Sequence, residues 1–329
     1  MLRHAAEAAG RYVTGFNLGK NSLVVEIGSN DGYLLKNFLA LEVPSLGIEP
    51  AANIARISQE QGIETLVKFF SAKVATDLAA SGKRADLILG NNVLAHSPAI
   101  NDFVAGLALL LKPKGHIVLE FPYACDLVEQ VEFDTIYHEH VFYFTLTSLL
   151  PLFQRHGLAV IDVERFHLHG GSLRLFAAHR GALSTKPSVA SLLKEETAKN
   201  VGSQRYYKDF AHRVRSLGHL LVKQLQELKT AGSSIAAYGA SAKGSTLLNY
   251  CQIGTEVLDF VADRSTAKQG WLTPGTHVPI VAAEELLLRN PDYTLLLTWN
   301  FAGEILQQQT EYRQRGGRFI IPVPEPRVV

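Results

Sequence analysis

Ser22-Leu-Val-Val-Glu-Ile-Gly-Ser-Asn-Asp-Gly32 carries a short apolar run directly into a polar turn bounded by Gly28 and Gly32, and Tyr33 to Leu41 continues with helical character. Strand, glycine turn and helix in that order open an α/β sheet. Glycines at such a junction let backbone N–H groups and a helix N-terminus approach a ligand, although an ordinary tight turn uses the same residues. The second strand, Ser45-Leu-Gly-Ile-Glu-Pro, places Glu49 at its carboxyl end. An acid there can accept both hydroxyls of an adenosine ribose, which makes the combined pattern more specific than the glycines alone.

The spacing of the turn separates two cofactor classes. Gly28 and Gly32 fit Glu-x-Gly-x-Gly-x-Gly from Glu26, with Asn30 in the place of the middle glycine and Asp31 beside it. The third small residue of the dinucleotide pattern Gly-x-Gly-x-x-Gly is missing, so a methyl-donor turn is favoured over a nicotinamide one. A third strand is predicted near Ile63 to Val67. Phe69 and Phe70 follow it, as candidates for an adenine wall or for the core. The fourth strand, from Ala85, runs out into Asn91 and Asn92, with His96 shortly after, at the sheet edge where open α/β folds bind ligands. A helix from Ile100 to Leu111, a turn Lys112-Pro-Lys-Gly115 and a strand from His116 complete a fifth unit. Beyond a helix from Leu146 to His156, two apolar runs starting at Ala159 and Ser172 read as a hairpin closing the sheet. His169, Ser172 and Arg174 are cleft candidates there, and Arg174 fits a strand-end salt bridge equally well.

Asp134-Thr-Ile-Tyr-His-Glu-His-Val-Phe-Tyr-Phe144 is the densest chemical stretch, with two imidazoles, a glutamate and several aromatic rings. It fits a catalytic loop, a satisfied structural network or a pair of metal ligands. No third ligand follows at diagnostic spacing, so no metal is assigned.

Bulk properties exclude several classes. With 329 residues, 47% of them hydrophobic and a net charge of +1, the chain is an ordinary globular protein of two domains without a basic field for nucleic acid. Cys125 and Cys251 are too few for a disulfide framework or a thiolate zinc site. No signal peptide or membrane-length apolar run is present. A cytoplasmic protein without membrane or nucleic-acid partners, monomeric or homodimeric, is expected.

Residues 183–232 read as a polar helical connector, and a second α/β pattern occupies 233–329. It starts with the strand at Ile235, the small-residue turn Gly239-Ala-Ser-Ala-Lys-Gly244 and a helix. Ser241 and Lys243 at that helix start suit a phosphate, and Asn300 stands at the carboxyl end of a later strand. Use of this domain as a lid or dimer surface competes with that role.

Glu26-Ile-Gly-Ser-Asn-Asp-Gly, Asn91-Asn-Val-Leu-Ala-His, Tyr137-His-Glu-His-Val-Phe-Tyr-Phe, His169-Gly-Gly-Ser-Leu-Arg and Tyr238-Gly-Ala-Ser-Ala-Lys-Gly together resemble the S-adenosylmethionine-dependent sugar C-methyltransferases. The resemblance runs from about residue 20 to the C-terminus. It implies a class I methyltransferase Rossmann-like domain over 1–182, the connector, and a second Rossmann-like substrate-binding domain. It also implies a nucleotide-diphosphate-linked keto-deoxysugar as the small-molecule substrate.

By the same resemblance His140 is the carbon-acid base, Glu139 its orienting or relay partner, and Tyr137 and His96 the donors to enolate or sugar oxygens. Glu26, Gly28, Asn30, Asp31, Gly32, Glu49, Asn91 and Asn92 hold the methyl donor; His169, Ser241, Lys243 and Asn300 hold the substrate. The family's usual N-terminal four-cysteine zinc domain has no counterpart here, so a natural short form or a truncated sequence is expected. A methyltransferase for a non-sugar small molecule, a nicotinamide dehydrogenase and a non-catalytic scaffold are the competing functions.

Overall fold

The computed structural model describes residues 2–166 and 170–329, and it divides into two compact units. The first comprises Met1–Tyr123 and Val141–Asn200; the second comprises Ala124–His140 and Val201–Val329.

In chain order the first unit begins with α1 (Leu2–Gly15), β1 (Val24–Ile27), α2 (Leu35–Ala40), β2 (Ser45–Ile48), α3 (Ala52–Glu60), β3 (Glu64–Leu66), α4 (Ala72–Ala80), β4 (Ala85–Asn91), α5 (Ile100–Leu110) and β5 (Leu111–Pro122). Helix α6 (Ala124–Glu129) belongs to the second unit. The first then resumes with α7 (Leu146–Arg155), β6 (Leu158–Phe166), β7 (Ser172–His179) and α8 (Pro187–Lys199).

Its sheet has the order β3-β2-β1-β4-β5-β7-β6. The first five strands are parallel and the β6–β7 hairpin is antiparallel, as the two late apolar runs led us to expect. This is the class I methyltransferase Rossmann-like topology, with β1 between β2 and β4 and every residue of β1 buried. Helix α1 is amphipathic: Ala5, Ala8, Ala9 and Tyr12 recur at helical spacing and are buried in the core that contains Val24, Leu87 and Val118.

One local expectation changes. Lys112 to Gly115 is part of β5 rather than a turn before it. Ala85 pairs with Leu111 and Leu87 with His116, so the four intervening residues bulge opposite Asp86, whose carboxylate takes Lys112 Nζ at 2.6 Å.

The second unit continues with α9 (Gln204–Thr230), β8 (Ile235–Tyr238), α10 (Ala242–Cys251), β9 (Val261–Asp263), β10 (Ile280–Ala282), α11 (Glu285–Arg289), β11 (Tyr293–Leu296), α12 (Ala302–Gln308), α13 (Thr310–Gln314), β12 (Arg318–Ile321) and β13 (Arg327–Val328). The order β10-β9-β8-β11-β12-β13 makes a second Rossmann-like sheet, parallel except for β12–β13.

The expected boundaries at 182 and 232 therefore move. The connector is shared out: α8 packs on β6, and α9 buries Val214, Leu217, Leu221 and Leu225 in the second core. More consequentially, Ala124–His140 leaves the first unit for the second. Val131 and Phe133 are buried in the second core, the Phe133 ring lies 4.8 Å from that of Tyr250, and Arg213 donates to the carbonyls of Val128 and Glu129.

Candidate functional site

In the first unit the turn after β1 is built from residues with positive φ: Gly28 at 67°, Asn30 at 52° and Gly32 at 81°. Asn30 tolerates that backbone better than most non-glycine residues. At Gly28 a Cβ would stand 2.3 Å from Val93 Cγ1, so the position must be glycine on two grounds.

Glu49 closes the turn. Its Oε2 accepts from Asn30 N at 3.0 Å and its Oε1 from Ala51 N at 2.9 Å, which fixes the carboxylate while leaving lone pairs for a diol. Asp31 Oδ1 accepts from Tyr33 N at 3.1 Å, turning its carboxylate inward on the loop.

Beneath the turn Glu26 is fully buried, and Oε2 has no hydrogen-bond partner. Burial, then the carboxylates of Asp31 and Glu49, push its pKa well above the ordinary range. Burial raises the pKa of Tyr33, against which Asn91 at the end of β4 acts, and Asn92 N donates to Glu120 O at 2.7 Å.

Beside the turn opens a cavity of about 560 Å³ lined by Gly28, Pro50, Phe69, Phe70, Asn92 and His96, among others. Phe69 is 80% exposed, whereas Phe70 packs edge-on against Phe103 at 5.2 Å. One ring serves the cavity mouth and the other the packing below it. The size, the flat apolar walls, the diol-accepting acid and the orphaned Glu26 oxygen together suit an adenosine that carries a cationic amino-acid tail.

In the second unit the Tyr137–His140 loop follows a 3-10 turn at Phe133–Thr135. His140 Nδ1 lies 2.9 Å from the Thr135 carbonyl. A carbonyl only accepts, so the proton sits on Nδ1 and Nε2 is the basic nitrogen. Nε2 is 3.5 Å from the Tyr137 hydroxyl, and the two rings stack with centroids 4.4 Å apart. Burial, then Glu139 and Asp134, raise the Tyr137 pKa, which keeps the phenol a donor. His138 and Glu139 are exposed. Among the described residues no group of three or more His, Cys, Asp or Glu side chains is placed to hold a metal.

A second set lies at the start of α10. Ser241 is its N-cap, with Oγ accepting from Gly244 N at 3.1 Å. Lys243 Nζ donates to Asn300 Oδ1 at 3.0 Å and sits 4.8 Å above the Trp299 ring. Burial lowers the pKa of this lysine, against which Asp134 and Glu132 act.

Two candidates fall elsewhere. Arg174 is the salt-bridge residue rather than a cleft residue: it is buried against Glu120 Oε1 at 2.6 Å and Glu164 Oε2 at 3.2 Å. His169 lies outside the described residues. Sequence reasoning assigned neither Asp134 nor Trp299 to the site. Their hydrogen bond spans 165 positions, and no local spacing announces it.

Residues 1–163 match the family model of a methyltransferase domain, and residues 167–324 match that of the C-methyltransferase C-terminal domain. C-methyltransferase NovU of Streptomyces niveus is 38% identical over 330 residues, covering 100% of this chain and 79% of that protein. Among solved structures, magnesium protoporphyrin IX methyltransferase (ChlM) from Synechocystis PCC 6803 with bound SAM is similar over 54% of this chain and 79% of its own, at 14% identity and a TM-score of 0.41. A SAM-dependent methyltransferase from Anabaena variabilis ATCC 29413 is similar over 55% of this chain and 86% of its own, at 13% identity and a TM-score of 0.43.

Proposed function

The chain belongs to the S-adenosylmethionine-dependent C-methyltransferases, and from that premise we propose that it methylates the carbon alpha to the ketone of a nucleotide-diphosphate-linked keto-deoxysugar. S-adenosylmethionine, when bound, supplies an electrophilic methyl group. Glu49 would take its ribose hydroxyls, Glu26 would pair with the ammonium of its amino-acid tail, and the turn from Gly28 to Gly32 would offer backbone donors. Asn30, Asp31, Asn91 and Asn92 complete that binding set, with Phe69 against the adenine.

The carbon acid is handled by the Tyr137–His140 loop. The observation that carries this assignment is the Nδ1 bond to the Thr135 carbonyl, which leaves the basic lone pair on His140 Nε2. Nε2 removes the proton alpha to the ketone, and the C–H electron pair moves into the enolate. Tyr137 and His96 donate hydrogen bonds to the enolate or sugar oxygens. S-adenosylmethionine would supply the methyl group that this pair takes up, the electrons of the broken methyl–sulfur bond staying on sulfur in S-adenosylhomocysteine, and the His140 imidazolium gives its proton to solvent. Glu139 orients the loop or relays the proton. Lys243, Ser241 and Asn300 hold the diphosphate.

Solvent deuterium exchange tests this. A nucleoside-diphosphate-linked keto-deoxysugar incubated in deuterated water with S-adenosylhomocysteine exchanges its alpha proton with wild-type protein and not with His140→Ala. Exchange that survives the substitution, or is absent from both, removes His140 from the mechanism.

A further inference from the structure

Asp134 opens the motif segment, and neither the binding nor the proton transfer derived above uses it. It is fully buried, and its Oδ2 accepts from Trp299 Nε1 at 2.7 Å. The same indole carries Lys243 Nζ on its face, 4.8 Å from the ring centroid, while that ammonium donates to Asn300 Oδ1 at 3.0 Å. Next along the chain, the carbonyl of Thr135 accepts the Nδ1 proton of His140. A short chain of contacts within the second unit thus runs from Asn300 through Lys243, the indole ring and Asp134 to the residue that fixes the imidazole.

We propose that Asp134 and Trp299 are positioning residues: the indole N–H seats the loop that aims His140 Nε2, and the indole ring couples that seating to whatever anion occupies Lys243. The proposal rests on the assignments of His140 as base and of Lys243 as diphosphate ligand. The site chemistry supports it in a second way. Glu132, buried beside Asp134, has its pKa raised to about 7 by burial and Asp134 has its raised to about 6. In their ionised forms both carboxylates act against the burial that lowers the Lys243 pKa, which favours the charged ammonium that a diphosphate needs.

The hydrogen bond and the ring face are separable by substitution. Trp299→Phe keeps a ring under Lys243 and deletes the donor. Asp134→Asn keeps an oxygen acceptor for the indole, whereas Asp134→Ala does not. The readouts are kcat and KM for methyl transfer to a nucleoside-diphosphate-linked keto-deoxysugar, and the alpha-proton exchange rate at saturating substrate. Thermal unfolding and S-adenosylhomocysteine calorimetry check each variant's integrity.

Trp299→Phe and Asp134→Ala are expected to lower both kcat and exchange about ten- to hundredfold, the scale of a misplaced catalytic group, with KM within about twofold of wild type. Asp134→Asn retains most of both rates. Wild-type exchange in Trp299→Phe overturns the proposal, as does an Asp134→Asn variant as impaired as Asp134→Ala. Those outcomes are distinct from failure of the base assignment, which shows as undiminished exchange in His140→Ala whatever the Trp299 and Asp134 variants do.

Discussion

The hydroxyl of Tyr123 donates to the carboxylate of Glu196 at 2.7 Å, inside the first unit and away from solvent. Tyr123 is the last residue before the chain departs into the second unit, and Val141 is the first to return. The same carboxylate accepts from Leu146 N and Thr147 N, each at 2.7 Å, at the start of α7 just after the return. Glu196 therefore joins the exit and re-entry points of the segment that carries the proposed base. Its charge also meets the positive end of α7.

Glu196→Gln is expected to destabilise the protein more than Tyr123→Phe. The amide brings one N–H₂ group to a place surrounded by four donors, the Thr147 hydroxyl among them, which leaves a buried donor unsatisfied at a cost of about 1–3 kcal/mol. Tyr123→Phe removes one hydrogen bond, worth about 1 kcal/mol. Urea unfolding of the two variants separates them, and equal midpoints would show that the carboxylate is not shared in the way its contacts indicate.

At the proposed methyl-donor turn, Gly28→Ala meets both a φ of 67° and a Cβ placed 2.3 Å from Val93 Cγ1. The backbone conformation alone costs about 1–2 kcal/mol for a residue with a side chain. S-adenosylhomocysteine affinity is expected to fall at least about tenfold, the equivalent of about 1.4 kcal/mol. Gly10→Ala in α1 is the matched control, since nothing lies within 4 Å of its Cβ and helix propensity favours alanine. Calorimetry that finds unchanged affinity in Gly28→Ala would remove the turn from the binding site.

The buried acid of the second unit makes stability depend on pH in a stated direction. Burial raises the Glu132 pKa from an ordinary 4.5 to about 7, so the folded protein binds a proton that the unfolded chain does not across that interval. Where the folded state binds more protons, stability rises as pH falls. The destabilising contribution of ionised Glu132 is thus present above its folded pKa and is relieved as pH drops towards the unfolded value. Relative to Glu132→Gln, the wild-type melting temperature should climb between about pH 7.5 and about pH 5. A difference that is flat, or of opposite sign, contradicts the buried placement of this carboxyl.

Periodicity and turn chemistry made the first sheet legible, because each βα unit is decided within about thirty residues. Glu49 and the Gly28–Gly32 turn were readable for the same reason: their chemistry is local. The second unit was read less well at its edges. Val261–Asp263 and Ile280–Ala282 are strands of only three residues, and the chain after β11 is broken into a 3-10 turn, α12 and α13, with no local pattern to mark these bounds. Residues 257–260 are apolar enough for a strand, and Leu258 and Phe260 are buried, but they pack as irregular chain ahead of β9. The departure of Ala124–His140 was invisible because Val131 and Phe133 find their partners after residue 210. Burial of Arg174 and Glu196 was likewise hidden, since a charged residue is normally exposed and only its distant partners make it otherwise.

Trp299 offers an optical test of the anion site. The protein has two tryptophans, Trp271 at 71% exposure and Trp299 at 7%, so Trp271→Phe leaves emission from the buried indole alone. In the protein Lys243 Nζ stands 4.8 Å from that ring, where an ammonium can quench the excited indole by proton transfer. Inorganic pyrophosphate bound at Ser241 and Lys243 competes with the ring for the ammonium, since an anion with several acceptor oxygens attracts it more strongly than a π face. Emission from the Trp271→Phe protein should therefore brighten on titration with pyrophosphate. A further Lys243→Met substitution should brighten it at the outset and abolish the response. Both changes weaken as salt is raised, because the ligand is recognised through charge. Pyrophosphate binding seen by calorimetry without any change in Trp299 emission would place the anion somewhere other than Lys243.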